Sequence, residues 1–557
     1  MTAYERPDLG PAARDAERWE TYPNQKIIIC LARTPTSAIT VRELMRVFNG
    51  DDRVKVLYAV SPGSRFQHGA VKVLRDHKVD LLPYEALVHA RCDLLVTTSE
   101  KVDFTAFPGT PGIVVPHGLG FHKFVPDADG PGNRLSGLVD DASLRTGVVT
   151  QLVTHPDQVR QLEHVTAHIA GRTVLGGDMS FDLLSNSVVE RDVYRRALGL
   201  APGQHLVTFS STWGKGSLSA RASREIERAL AELPVETYKV ALTLHPNVWS
   251  LEGEDNVRRR FHRHVERGGL VLVDPVQGWH AVFVASSLVI ADNGSLSLYA
   301  AMMGTPLLIG AFSDQVVPGT AMEHLGTIAP RLTSERNLRH QVEEAIAGKG
   351  KVDPHALIER TIALPGKAAE SFRRLCFHKL GLVAPTDELP VWAAPAPIVT
   401  RYPVRSYEVR TLFVEPSTIT LQRFPAAVKQ WCEPVEAPWE RHLAAYANEP
   451  DLRVRQNAAI LVDEHEHDFE SATARLRSMR ENYPGCRIVV VKYGSRHLAA
   501  VRRGSHHELT AEPGSDPLLL ASALYALIVA RRPAEGVFTL KAGASEHKLT
   551  ISSSFGP

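Results

Sequence analysis

The sequence predicts an α/β protein built from two doubly wound domains and a smaller C-terminal α/β domain. Three observations support this prediction: continuous apolar runs of strand length alternate with helical stretches, this rhythm occurs in two blocks, and a proline-rich stretch precedes the last part of the chain. Continuous apolar runs are typical of parallel strands that helices cover on both faces. Such sheets bind ligands at the carboxyl ends of their strands, so residues that follow the runs are the first candidates for a site.

The first domain is predicted over residues 25–170, behind a polar leader at 1–24. Its predicted elements are strands at 26–32, 53–59, 92–97, 112–115 and 147–152, and helices at 37–48 and 69–77. The segment 124–143 is rich in Gly, Pro and Asp, which predicts a loop.

The second domain is predicted over residues 171–384, and a helical segment at 341–380 is expected to close it. Its predicted strands lie at 173–175, 205–210, 239–244, 270–273, 288–291 and 306–309. Five prolines within 385–403 predict a semi-rigid linker. Residues 404–557 are predicted to form the small α/β domain, with strands at 408–414, 458–462, 487–491 and 536–541 and helices at 470–482 and 517–531.

The charge balance and the cysteine pattern limit the function classes. Lysine and arginine total 63 and aspartate and glutamate 62, so the formal net charge is only +1. This balance excludes a strongly basic nucleic-acid-binding protein, and no nucleic-acid partner is expected. The five cysteines are scattered without a C-x-x-C pair, which fits a reducing compartment. No signal peptide or membrane span is recognisable, so we expect a cytoplasmic protein, with peripheral membrane association left open.

The most informative segment is 288–309, in which an apolar strand leads into a small polar turn, a helix and another strand. The turn is Asp292-Asn293-Gly294-Ser295. A helix start offers free backbone N–H groups and a positive dipole end, so the turn predicts a phosphate cradle. Gly294 would permit close approach of the ligand, and Ser295 would add a hydroxyl. An ordinary helix cap without a ligand is the alternative interpretation.

Two histidines follow predicted strands. In the segment LTLHPN, His245 follows the end of the apolar strand and is predicted to bind a phosphate or to move a proton. His117, in VVPHGLG, is predicted to act as a general base toward an acceptor hydroxyl, with Gly118 and Lys123 on the acceptor side. For each histidine, a loop residue without a catalytic role is the alternative.

A further polar loop follows the apolar run at 205–210. Here Ser211 and Thr212 are predicted to bind phosphate, and Trp213 is placed where a donor base would stack. The loop is not a Walker A motif, because G-x-x-x-x-G-K-[ST] is absent. No metal site is predicted, since the acidic and histidine-rich run at 463–468 lacks paired ligand spacing and is expected to be a solvated loop.

In this order the motifs resemble those of the GT-B superfamily, in which two Rossmann-like domains face each other across a cleft. They are similar to those of the CDP-glycerol glycerophosphotransferases and of the nonhydrolysing UDP-N-acetylglucosamine 2-epimerases. His117-Gly118 and His245-Pro246 match the His-Gly and His-Pro motifs of the glycerophosphotransferases, and the turn at 292–295 matches the phosphate turns of both families. Further matches are Gly177, Asp178, Asp182 and the Gly-x-Pro at 304–306. The resemblance covers residues 25–380.

The sequence departs from both families just after the phosphate turn. The epimerases carry paired glutamates there, one of which commonly holds the ribose, and the glycerophosphotransferases carry an aspartate. Leu298 and Tyr299 occupy these positions here. In addition, Gly214 replaces the arginine of the Thr-Trp-Arg loop of the glycerophosphotransferases. These differences imply an altered donor, a weakened one or none.

The resemblance implies a GT-B-like transferase whose donor substrate is a nucleotide-activated sugar or polyol phosphate. No fixed metal or other cofactor is implied, because helix dipoles and cations can stabilise the leaving group. A polyol or anionic acceptor is expected beside His117. Two alternatives remain open: a nucleotide-sugar 2-epimerase, and a noncatalytic binding or scaffold protein whose third domain contacts a partner.

Overall fold

The structure is a computed structural model that describes residues 25–126, 132–431, 438–502 and 504–554. The predicted leader at 1–24 lies outside these ranges, as do residues 127–131 of the predicted loop. Within the described ranges, no helix combines the length and the apolar character that crossing a membrane requires.

The first domain is a seven-stranded parallel sheet covered by helices. The strands of this part of the chain are β1 (Lys26–Ala32), β2 (Val54–Val60), β3 (Leu81–Leu82), β4 (Leu94–Thr97), β5 (Gly112–Val114), β6 (Phe124–Pro126), β7 (Asn133–Leu135), β8 (Val149–Val153) and β9 (Thr173–Leu175). The sheet order is β3-β2-β1-β4-β5-β8-β9, and β6 and β7 form a separate ribbon. The helices are α1 (Pro35–Leu44), α2 (Gln67–Asp76), α3 (Asp141–Arg145) and α4 (Pro156–Val165). Strands β4, β5 and β8 are buried along their whole length, and β1 is buried from Ile28 to Ala32.

The second domain has a six-stranded sheet of the same kind. Its strands are β10 (His205–Ser211), β11 (Tyr238–Leu244), β12 (Val271–Val273), β13 (Leu288–Ala291), β14 (Leu307–Ile309) and β15 (Val399–Thr400), in the order β14-β13-β10-β11-β12-β15. All neighbours are parallel except β15, which runs antiparallel to β12. The helices that follow the first domain are α5 (Met179–Asn186), α6 (Arg191–Ala197), α7 (Leu218–Arg221), α8 (Ser223–Glu232), α9 (Pro246–Glu252), α10 (Glu254–Glu266), α11 (Trp279–Ala285), α12 (Ser295–Met302), α13 (Ala321–Ile328), α14 (Leu338–Ile346), α15 (Pro354–Glu359) and α16 (Ala368–Leu380).

The structure corrects two details of the predicted domain division. Strand β9 pairs with β8 and completes the first sheet, although the sequence placed it in the second domain. Helix α16 was expected to close the second domain, but it packs on the first, where Phe377 meets Phe48 with ring centroids 5.5 Å apart. The chain therefore crosses from the first domain to the second and then returns.

The proline-rich segment 385–403 lies along this two-domain body. Its residues 399 and 400 form the edge strand β15, and the Tyr194 hydroxyl donates to the backbone oxygen of Ala394 at 2.5 Å. The Arg46 guanidinium lies over the ring of Trp392. These contacts hold the segment against both domains.

The C-terminal part is a closed nine-stranded barrel, which corrects the prediction of a small α/β domain. Its strands are β16 (Ser406–Glu415), β17 (Thr418–Pro425), β18 (Glu440–Tyr446), β19 (Ile460–His467), β20 (Ile488–Tyr493), β21 (Arg496–Val501), β22 (His506–Ala511), β23 (Gly536–Ala542) and β24 (Ser545–Ser554). The helices here are α17 (Leu452–Asn457), α18 (Phe469–Asn482) and α19 (Pro517–Val529). Helix α19 is apolar and almost wholly buried, and it packs against six of the strands. Its burial explains why this helix carries no polar face.

A buried ion-pair network joins the barrel to the second domain. The Arg423 guanidinium of β17 pairs with Glu236, with 2.6 Å between Nε and Oε1, and also with Asp516. The side chains of Arg423 and Glu236 are only 10% and 7% exposed. The charges are therefore compensated inside the protein rather than by water.

Of the helices in the described ranges, five begin with proline at their first position, directly after a capping side chain. They start after Thr34, His155, His245, Asp353 and Asp516. Proline suits this position because the N–H that it lacks would have no partner within the helix. In α9 this arrangement fixes the orientation of His245, which caps the helix at the end of β11.

Candidate functional site

A cleft of about 670 Å³ separates the two domains. Segments that follow β1, β4 and β5 line one wall, and segments that follow β10, β11, β12 and β13 line the other. The carboxyl ends of both parallel sheets thus face the same space, as expected for ligand binding by this kind of sheet. All ten predicted site residues line the cleft: His117, Gly118, Lys123, Ser211, Thr212, His245, Asp292, Asn293, Gly294 and Ser295.

The N-terminus of α12 opens into the cleft at the predicted turn. Gly294 is its N-cap, and among the described residues no side chain caps this end of the helix. The first N–H groups of a helix lack partners within the helix and carry its positive partial charge. The end of α12 therefore presents free donors and a positive potential to the cleft.

Two side chains of the turn hold the fold instead of facing a ligand. Asp292 Oδ2 accepts from the backbone N–H and the hydroxyl of Thr212, both at 2.9 Å, and from the backbone N–H of Leu218 at 2.8 Å. Burial raises the pKa of Asp292, which these hydrogen bonds oppose. Asn293 Nδ2 donates to Ser313 Oγ at 3.0 Å. The predicted phosphate contacts of the turn are thereby limited to Gly294, Ser295 and the backbone of α12.

Internal hydrogen bonds also hold the loop that follows β10. Ser211 Oγ donates to Ser219 Oγ at 3.0 Å and accepts from the Ser219 N–H at 2.9 Å. Thr212 is bound to Asp292 as described. Trp213 is 43% exposed, and its ring contacts Phe66 of the first domain edge-on at 5.3 Å. This aromatic pair bridges the two walls of the cleft.

Gly118 and Ser295 mark a close approach of the two domains. A Cβ atom added to Gly118 would lie 2.7 Å from Ser295 Oγ, and the glycine has a φ of +76°. Only glycine tolerates both the left-handed backbone and this proximity. Gly118 thus brings the first domain against the N-terminus of α12.

His117 is oriented as a base would be. Its Nδ1 lies 2.9 Å from the backbone oxygen of Thr98, and a carbonyl oxygen can only accept, so Nδ1 carries the proton. In the neutral ring, Nε2 is then free to accept a proton. Glu100 lies nearby: burial would raise its pKa, but His117 and Arg134 outweigh burial and lower it. The Glu100 carboxylate also pairs with the Arg134 guanidinium, with 2.9 Å between Oε1 and Nη1.

His245 has the opposite orientation. Its Nδ1 accepts from the Asn247 backbone N–H at 3.1 Å, so the proton of the neutral ring is on Nε2. Burial, together with His117 and Lys123, lowers the pKa of His245 to about 3. The neutral ring offers its Nε2–H as a hydrogen-bond donor.

Lys123 supplies a cation to the cleft. It lies on a segment of the first domain that forms a bridge with Val316 of the second. Burial lowers the pKa of Lys123, and Asp292 opposes this effect. Its position across from the turn at 292–295 makes it available to an anion bound at α12.

Sequence reasoning missed several residues of the cleft. Glu100 lies three residues after the end of β4, so the strand-end rule that selected the two histidines would also have selected it. Glu43 carries no such signal, because it lies in the last turn of α1, yet it lines the cleft and burial raises its pKa to about 7. Trp279 and His280 stack at 3.6 Å, and burial lowers the pKa of His280 to about 3.

In the described part of the chain, no group of three His, Cys, Asp or Glu side chains is arranged to hold a metal ion. The run at 463–468, expected to be a solvated loop, lies mostly in strand β19. There Asp463 is buried and pairs with Arg475 at 2.6 Å.

Two Rossmann-like domains facing each other across a cleft define a GT-B-like body. The sequence matches no protein-family model, and no curated protein matches it significantly. Among solved structures, it is similar to the wall teichoic acid polymerase TagF (11% identity, 64% of this chain and 89% of that chain, TM-score 0.43). It is also similar to a putative UDP-N-acetylglucosamine 2-epimerase from Listeria monocytogenes (14% identity, 66% and 100% coverage, TM-score 0.45) and to S. aureus MnaA in complex with UDP (13%, 65% and 100%, 0.40). The body is defined by the strand orders of its own two sheets.

Two of the three positions that depart from the resembling families, Leu298 and Tyr299, are buried. Leu298 and Tyr299 are each 1% exposed, and the Tyr299 hydroxyl donates to Asp178 Oδ2 at 2.9 Å. Burial raises the pKa of Asp178 to about 6. Neither position supplies a carboxylate to a ligand.

Proposed function

We propose that the protein is a transferase whose donor substrate is a nucleotide-activated sugar or polyol phosphate bound in the cleft. The observation that carries this proposal is the uncapped N-terminus of α12, which opens into the cleft among the described residues. A helix start of this kind, with glycine at the N-cap, suits a diphosphate, because backbone N–H groups and the helix dipole both favour negative charge.

On the donor side, three further groups support the α12 terminus. Ser295 offers a hydroxyl, Lys123 offers a cation, and His245 offers a neutral Nε2–H donor, and all three line the same cleft. Their role is to hold the phosphates and to stabilise the negative charge that develops on the leaving group.

On the acceptor side, His117 Nε2 takes the proton of an acceptor hydroxyl. The hydroxyl oxygen then bonds to the transferred carbon or phosphorus, while the bond from that atom to the oxygen of the leaving nucleotide breaks. The proton remains on His117, whose Nδ1–H keeps its hydrogen bond to the Thr98 carbonyl oxygen.

A noncatalytic donor-binding protein is the second candidate. The burial of Leu298 and Tyr299 favours it, because the resembling enzymes use carboxylates there and this cleft receives none from those positions. This candidate keeps the anion-binding terminus of α12 and dispenses with the proton transfer.

Binding is tested by calorimetric titration with CDP, UDP, GDP and ADP and with their sugar or glycerol conjugates. We expect one nucleotide to bind, and Ser295→Ala or Lys123→Met to weaken it about tenfold, the effect of losing a hydrogen bond to a charged group. Lys72→Met, at an exposed ion pair outside the cleft, is the matched control. If no nucleotide binds, both candidates are wrong.

Catalysis is tested by nucleotide release from the conjugate that binds. His117→Asn retains an amide N–H for Thr98 but has no group in place of Nε2. We expect it to bind the donor normally and to lose about a hundredfold or more in rate. Donor binding without release by the wild type, across a panel of polyol acceptors, would favour the noncatalytic protein.

A further inference from the structure

A second cavity, of about 520 Å³, lies between the second domain and the barrel. It is lined by residues at the amino ends of β10, β11 and β12, so it is at the opposite edge of the sheet from the cleft. Residues 401–404 and strands β16 and β17 form its other wall. Interfaces between domains are frequent places for small-molecule sites, and this volume falls within their usual range.

Two cations of the cavity lining, Lys239 and Arg401, both lie beside Gly199. The Lys239 ammonium donates to the backbone oxygen of Gly199 and lies 3.5 Å from that of Leu198. The Arg401 guanidinium lies over the same glycine, since a Cβ on Gly199 would be 2.5 Å from its Nη1. An ammonium has three N–H donors and a guanidinium five, so the two backbone oxygens leave most of these donors available.

Lys239 and Arg401 have no carboxylate partner among the described residues, in contrast to Arg423, the third cation of the cavity. Arg423 also lines the cavity, but Glu236 and Asp516 neutralise it. The cavity lining contains no Asp or Glu, and in the described part of the chain neither Lys239 nor Arg401 forms an ion pair with a carboxylate. Burial lowers the pKa of Lys239 to about 8, and repulsion from the neighbouring Arg401 adds a smaller effect in the same direction. An anion placed between them would remove this repulsion.

Apolar and aromatic side chains form much of the rest of the lining, beside Gln204 and Arg423. Tyr238 and Tyr407 are buried in it, Tyr402 is half-exposed at its mouth, and aliphatic side chains complete the wall. A bare inorganic ion would leave this surface without a partner, whereas an organic body would cover it.

We propose that this cavity binds a small organic anion whose carboxylate or phosphate lies between Lys239 and Arg401 and whose apolar or aromatic body packs between the second domain and the barrel. The site is separate from the cleft and does not depend on the function proposed for it.

Ligand-observed NMR and calorimetry with three simple probes test this site. Phenyl phosphate and benzoate carry the two anionic groups on a ring, and benzyl alcohol is the neutral control. We expect both anions to bind at millimolar concentration and the alcohol to bind at least tenfold more weakly. The tighter of the two anions identifies the natural ligand as a phosphate ester or a carboxylate.

The variants locate the binding. Arg401 is exposed, so Arg401→Gln is expected to fold normally and to weaken both anions about tenfold, while Arg401→Lys restores part of the affinity. Lys239→Met should act in the same direction. Lys123→Met removes a cation of the cleft, so the probe binding that depends on Lys239 and Arg401 should persist in this variant. The proposal is wrong if no anion binds, if Arg401→Gln and Lys239→Met bind like the wild type, or if Lys123→Met abolishes binding.

Discussion

Gly118 and Ser295, from different domains, approach so closely that a Cβ atom on Gly118 would lie 2.7 Å from the Ser295 hydroxyl oxygen. This contact brings the loop that carries His117 to the N-terminus of α12. Because residue 118 has no Cβ atom, the base of the proposed reaction can lie this close to the proposed diphosphate site.

We expect Gly118→Ala to disturb this contact and to weaken nucleotide binding in the cleft. Gly109→Ala is the matched control, because Gly109 has the same φ of +76° but no atom within 4 Å of an added Cβ. Both variants carry the backbone cost of about 1 kcal/mol, and Gly118→Ala should lose about 1–3 kcal/mol more through overpacking. Chemical denaturation measures the free energy of unfolding, and calorimetric titration measures nucleotide affinity. Equal values of both for Gly118→Ala and Gly109→Ala would contradict the predicted role of the contact between Gly118 and Ser295.

Asp292 and Ser295 are expected to differ although they are three residues apart in one turn. Asp292→Ala removes an acceptor of three hydrogen bonds, so it should lower both stability, by about 2–4 kcal/mol, and nucleotide affinity. Ser295→Ala should lower affinity alone. Thermal midpoints measured beside titrations separate the two roles, and a stable Asp292→Ala with unchanged affinity would show that Asp292 does not position the loop.

The barrel should depend on Arg423 for its attachment to the body. Arg423→Met leaves Glu236 and Asp516 without their partner, which is expected to cost about 3–5 kcal/mol. Arg259→Met breaks an ion pair whose two side chains are 76% and 75% exposed, and it should change stability little. Denaturation curves and limited proteolysis of the 385–403 segment report the difference. An Arg423→Met protein as stable as Arg259→Met would show that the network contributes little.

Buried histidines should make stability depend on pH. Burial holds the pKa of His280 at about 3, whereas the unfolded chain binds this proton below about pH 6.5. As pH decreases, the unfolded state therefore binds this proton at a higher pH than the folded state does. The free energy of unfolding falls as pH decreases from about 6.5 toward 3. His280→Gln should reduce this slope by up to about 1.4 kcal/mol per pH unit. Denaturation at about pH 6 and about pH 4.5 measures the slope, with the exposed His378→Gln as control; an unchanged slope in His280→Gln would contradict the prediction.

The sequence predicted the parallel strands well because their apolar runs are continuous. It missed β17, β18, β21, β22 and β24, whose outward faces carry polar side chains, as in ERHLAAY and RHLAAV. Such strands lack the continuous apolar signal, and barrel closure depends on partners distant in sequence, such as Thr418 of β17 with Thr539 of β23. Helix α16 was assigned to the wrong domain for a similar reason, since its apolar face does not specify which core it covers.

The sequence by itself determined the doubly wound class, the strand ends and the residues that follow them. Hydrophobic periodicity and the residue types at strand ends are local properties, so short segments of sequence are enough to identify them. Only the tertiary structure decided that these strand ends share one cleft, that His117 offers an acceptor while His245 offers a donor, and that Asp292 and Asn293 hold the fold. Each of these depends on hydrogen bonds or contacts between residues far apart in the chain, such as Thr212 with Asp292 and Gly118 with Ser295. A proton's location on an imidazole, and the partner of a carboxylate, are set by those distant neighbours.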